Sequence, residues 1–90
     1  MSEEKLPVHD TIKVIDYQTI YKTSKWWCAV VLANMFGHDK VLIYLWQNRN
    51  GQWKRKQKFT INFEHDWQLI KQAVDNFLLR VREVSDADNR

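Results

Sequence analysis

Ninety residues suffice for one compact domain, but a chain this short buries too little of its surface to accommodate an enclosed active-site cleft easily. Hydrophobic residues at 44% and charged residues at 28% exclude a disordered tail. The net charge of +3 hides a division: residues 11–62 hold nine basic residues against Asp16 and Asp39, a net +7, whereas residues 1–10 and 63–90 each sum to −2. A localised anion-binding surface is therefore expected in the middle of the chain.

Residues 1–10 are polar, contain Pro7 and show no periodicity, which predicts a flexible N-terminal arm. The folded domain is expected over 11–84. From Thr11 to Tyr21 the density of Ile12, Val14, Ile15, Tyr17, Ile20 and Tyr21 predicts a strand, bulged where alternation slips at Val14 and Ile15. Lys25 to Ala33 reads KWWCAVVLA, apolar on both alternating faces, so this strand is expected to be covered on both sides. A turn in NMFGHD leads to KVLIYLWQN, and Arg49-Asn50-Gly51 leads on to QWKRKQKFTIN, giving four consecutive antiparallel strands.

Asn62 is a good N-cap, and Glu64 and Asp66 complement a helix dipole in the first turn. Phe63, Trp67, Ile70, Val74, Phe77, Val81 and Val84 then form one apolar stripe, so the helix is expected to cover the sheet or another helix. Residues 85–90 are polar and predict a frayed tail. The fold class is thus α+β: a four-stranded antiparallel sheet followed by one C-terminal helix.

The turn after the third strand decides what the sheet exposes. A two-residue Asn50-Gly51 turn sets Gln47, Leu45 and Ile43 against Lys54, Lys56 and Lys58 and spoils the core. A three-residue turn instead groups Val41, Ile43 and Leu45 with Trp53, Phe59 and Ile61, a surface for the helix to cover. The other face then carries Lys40, Leu42, Tyr44 and Trp46 beside Lys54, Lys56 and Lys58. Trp26 and Trp27 point in opposite directions, so one packs inward and the other joins this face; Trp26, next to Lys25, is counted among the candidate contacts. Cations that follow phosphates, interleaved with rings that stack on unpaired bases, suit single-stranded nucleic acid, at about 1–3 kcal/mol per stacked base. Lysine supplies charge without a bidentate fork, so little sequence preference is expected. Lysines on a strand also serve as a plain protective edge, and it is the aromatic neighbours that favour a ligand.

Other chemistries find little support. The lone Cys28 excludes an internal disulfide and reads as a small buried hydrophobe; with no leader or membrane span, a cytoplasmic or nucleoid-associated protein is expected. His9, His38 and His65 are scattered without metal-ligand spacing. No nucleophile with a base, paired carboxylates or glycine-rich phosphate loop is present, so neither enzyme activity, a cofactor nor a small-molecule substrate is expected.

The stretch KVLIYLWQNRNGQWKRKQKFTINFEHDWQLIKQAV resembles the single-stranded DNA-binding domain of the positive cofactor four family of transcriptional coactivators, over roughly residues 25 to 80. The resemblance implies four antiparallel strands and a helix, and homodimers whose paired sheets form channels for single-stranded or melted DNA. It implies DNA contacts at Phe36, Trp46 and Lys58, with Lys54, Arg55 and Lys56 in the same basic stretch. The turn between the last two strands is shorter and the helix end longer than in the family, and the serine-rich arm of the eukaryotic relatives is lacking, which favours a general single-strand binder over a coactivator. A protein-interaction module and an RNA-binding protein are the alternative readings.

Overall fold

The computed structural model describes residues 5–88, with side chains through residue 82. Four strands, β1 (Lys13–Lys22), β2 (Trp26–Met35), β3 (His38–Arg49) and β4 (Gln52–Ile61), form one antiparallel sheet in the order β1-β2-β3-β4, followed by α1 (Glu64–Asp88). This is the order of elements that the sequence predicts. Two tight turns fix it. Met35 pairs with His38 across Phe36-Gly37, and Arg49 with Gln52 across Asn50-Gly51. Both central residues of each turn have positive φ, 54° and 81° in the first and 55° and 83° in the second, as in the type I′ turns whose twist matches that of the strands.

The second turn departs from the three-residue expectation, and a bulge explains how the apolar face survives. Next to the turn the register is the two-residue one, with Gln47 opposite Lys54 and Trp46 opposite Arg55. Lys56 is then skipped, so Leu45 meets Gln57, Ile43 meets Phe59 and Val41 meets Ile61. One extra residue moves every later side chain to the other face. Val41, Ile43 and Leu45 thus do align with Phe59 and Ile61, whereas Trp53, opposite Asn48, joins the opposite face. Two further register shifts fall in β1, between Val14 and Asp16 and between Thr19 and Tyr21. The first lies where broken alternation predicts a bulge.

The core lies on the face where the sequence places a ligand. Trp27, Ala29, Val31 and Ala33 of β2 and Leu42, Tyr44 and Trp46 of β3 are buried, and Leu6 joins them at 4% exposure. Val8 and Ile12 pack against the same cluster. The expectation of a loose arm is therefore corrected for residues 5–10: an apolar side chain every few residues docks this segment on the sheet. The opposite face, with Val30, Leu32, Val41, Ile43, Leu45 and Phe59, stays partly or largely exposed, so β2 is covered on one side only.

The helix does not cover that open face. Among the described residues, β4 is the one strand it touches, with Trp67 and Ile70 half-buried beside the strand end and Val74, Phe77 and Val81 exposed. It opens one residue later than Asn62 implies. The Trp67 amide donates to the Phe63 carbonyl at 3.3 Å, while the Asn62 side-chain oxygen accepts from Lys40 Nζ at 3.4 Å. Glu64 and Asp66 lie in the first turn. The helix continues through residues 85–88, where the sequence predicts a frayed tail; residues 89 and 90 lie outside the described part. The radius of gyration is 16.4 Å, against about 12 Å for a compact chain of this length. No helix among the described residues is long and apolar enough to cross a membrane.

Candidate nucleic-acid interface

Four of the predicted contacts come together on β4. Lys54, Arg55, Lys56 and Lys58 are all exposed, on a strand that ends the sheet. Among the described residues none of the four pairs with a carboxylate. The bulge splays them: Lys54 lies opposite Gln47 on the open face, and Arg55 and Lys58, opposite Trp46 and Tyr44, lie on the covered face. The cations therefore line the sheet edge as a track instead of tiling one face.

Rings border this track on both sides. On the open face Trp26, half-buried, pairs with Gln47, which pairs with Lys54, so ring and ammonium share one row across the sheet. Lys25 is exposed beside it in the β1–β2 turn, its carbonyl accepting the Asn48 amide at 2.8 Å. Tyr21, Cys28, Leu45 and Phe59 line a shallow groove of about 570 Å³ next to Lys56 and Lys58. Burial pushes the Cys28 thiol pKa up, so it stays protonated and acts as an apolar filler at neutral pH.

On the covered face the rings form a stack. Tyr44 and Trp46 are parallel within 6° at 5.0 Å, Trp46 and Trp27 meet at 5.0 Å, and Trp27 meets Trp53 edge-on at 5.7 Å. Lys22 Nζ sits 4.0 Å from the Trp27 ring centre and 5.7 Å from that of Trp53, within cation–π range. Thr19 Oγ1 accepts the Trp27 indole N–H at 3.0 Å. Burial raises the Tyr44 phenol pKa and the Arg55 charge lowers it in part, leaving the hydroxyl protonated.

Two predicted contacts are corrected here. Tyr44 and Trp46 are buried at 1% and 0% exposure and belong to the core, because the N-terminal segment, not the helix, supplies the layer above the sheet. Two others sit apart from the rest. Phe36, at the β2–β3 tip, and Lys40, bonded to Asn62 and opposite Ala33, lie toward the other end of the sheet from Trp26 and Lys25, about 33 Å and about 23 Å from Trp26 respectively at about 3.3 Å per residue. Phe36 is 89% exposed at φ 54°, a conformation that bulky residues rarely adopt. Lys22 and Trp53 were not anticipated. The β1 register shift past Ile20, which turns Lys22 toward Trp27, leaves no mark in an already apolar stretch.

Among the described residues no group of three or more His, Cys, Asp or Glu could hold a metal ion. No protein-family model, no curated protein and no solved structure matches the chain.

Proposed function

We propose that this protein binds single-stranded nucleic acid, DNA in the first instance and with little sequence preference, along the β4 edge, and that it does so as a homodimer in the cytoplasm or on the nucleoid. The observation that carries this reading is the exposed track Lys54-Arg55-Lys56-Lys58, free of described carboxylates and flanked by Trp26, Trp53 and Phe59. Phosphates follow the cations while unpaired bases reach the rings beside them; a duplex keeps its base faces stacked away. The strand order and terminal helix agree with what the resemblance to the positive cofactor four family implies, and membership of that family is part of the proposal. Competition against a labelled oligothymidine tests it. Unlabelled single strands of other sequences should displace the label within about tenfold of one another, as expected for stacking without edge reading, and duplex should not. No binding of the label would overturn the proposal.

The dimer rests on a separate observation. The open sheet face exposes Leu32, Val41 and Phe59, and the α1 stripe exposes Val74, Phe77 and Val81, large apolar side chains grouped on two elements in the way that marks an interaction surface. A second copy placing the same two surfaces against them satisfies both at once. Sedimentation at micromolar concentration should give twice the chain mass of 10.9 kDa, and Phe77→Asp should give the monomer. A wild-type monomer would contradict this and leave the apolar face to a different protein, as in an interaction module.

Phe36→Asn should separate stability from binding. Asn suits the left-handed position ahead of Gly37 and relieves about 1–2 kcal/mol of backbone strain, so the melting temperature should rise. Loss of one stacking ring should weaken oligothymidine binding by about tenfold. Unchanged affinity would show that Phe36 is not a contact.

A further inference from the structure

We infer that the second copy docks helix against helix: the α1 stripe pairs antiparallel with the α1 stripe of the partner, and the C-terminal half of each helix fills the groove beside the N-terminal half of the other. The inference rests on the homodimer proposed above and assigns the surface that makes it. The sequence leaves the stripe two covers, the sheet or another helix, and α1 runs past the sheet instead of lying on it. From Phe63 to Val84 the stripe advances in alternating steps of four and three, the a/d pattern of helices that pack side by side.

The two halves of the helix complement each other. Beside the N-terminal half, α1 and the end of β4 form a shallow groove of about 430 Å³, whose walls include Phe59, Ile61, Leu69, Ile70 and the carboxylate-bearing Asp66. The C-terminal half is a ridge. Its Val74, Phe77 and Val81 are exposed, and the Arg80 guanidinium sits 6.0 Å from the Phe77 ring, so a cation accompanies the apolar side chains. A ridge carrying an arginine and a groove carrying an aspartate, both on one chain, are what a self-complementary two-fold interface requires.

The direction follows from these halves and from charge. With Ile70 against the partner's Val74, Trp67 meets the partner's Phe77, Phe63 meets the partner's Val81, and Asp66 falls beside the partner's Arg80 on the same flank. The seam from Phe63 to Val81 runs about 27 Å. It holds the two β4 cation tracks at its opposite ends, well beyond the screening length of about 10 Å in 0.1 M salt. A parallel pair would set the tracks side by side, with their like charges facing. The antiparallel seam has one unfavourable contact, at its centre, where Lys71 faces the partner's Lys71; in a parallel pair Lys71 would lie against the partner's Asp66 instead.

Sedimentation equilibrium, in a dilution series that passes below the wild-type dissociation constant, tests this on wild type, Asp66→Arg, Arg80→Asp, the double swap and Lys71→Ala, with circular dichroism reporting helix content. Each single swap should weaken the dimer by about tenfold, because it turns two attractive contacts into repulsive ones, and the double swap should return to within about threefold of wild type. Lys71→Ala should tighten the dimer by about threefold. A wild-type dimer indifferent to all four variants would overturn the helix seam and leave the homodimer to the open sheet face. Single swaps that weaken the dimer without rescue in the double, or a looser dimer in Lys71→Ala, would overturn the antiparallel register. A monomeric wild type would overturn the homodimer and the seam together. Should a swap lose its helical signal, Lys71→Ala decides alone, since alanine favours the helix: a tighter dimer supports the seam, and an unchanged or looser one overturns it.

Discussion

Trp46→Ala is expected to leave little folded protein at 37 °C. The side chain is wholly buried, stacked on Tyr44 and in contact with Trp27. Removing a buried tryptophan costs about 3–5 kcal/mol through lost transfer energy and the cavity left behind. A domain of this length has only about 5–13 kcal/mol in total, and this one has a single covered sheet face as its core. Chemical denaturation should therefore show the midpoint collapse, with the tryptophan emission of the mutant already red-shifted in buffer. A loss under about 1 kcal/mol would mean that Trp46 is a surface ring, because exposed positions rarely cost more.

The second large effect concerns binding and spares the fold. Replacing Lys54, Arg55, Lys56 and Lys58 together with glutamine removes charges that are all exposed, so stability should change by about 0.5 kcal/mol or less at each site. If each cation neutralises one phosphate, wild-type affinity falls with salt at a log–log slope of about −2.8, roughly fiftyfold between 50 and 200 mM. The quadruple variant should bind at least about a hundredfold more weakly at 50 mM and show a slope near zero. An unchanged slope would move the phosphate track elsewhere on the sheet.

These two outcomes divide what the sequence makes legible from what it does not. Strand order, the first β1 bulge and the places where the chain turns are local matters, set by alternation and by glycine at positive φ, and the acidic first turn marks the helix start to within one residue. The alignment of Val41, Ile43 and Leu45 with Phe59 and Ile61 is legible too, since the alternative register would interleave lysines with the aliphatic side chains. The device that achieves it is not, because a bulge at Lys56 and a longer turn move the later side chains the same way and differ only in where Trp53 ends up. Which face is covered lies beyond local pattern. The helix stripe suggests a lid, but it runs past the sheet, and three apolar residues in an otherwise polar N-terminal stretch do the covering. For that reason Tyr44 and Trp46, read as exposed rings beside lysines, are the centre of the core, while the β4 cations stay exposed but are divided between the two faces by the bulge instead of sharing one.

The central claim is that β4 tracks a single strand, and its most direct test is an intrinsic tryptophan-fluorescence titration with an oligothymidine of about twenty nucleotides and the matching duplex, at 50 and 200 mM salt. Trp26 and Trp53, the half-buried rings flanking the track, should be quenched by the single strand alone, with affinity falling about fiftyfold between the two salts. Equal quenching by duplex, or binding indifferent to salt, would contradict it.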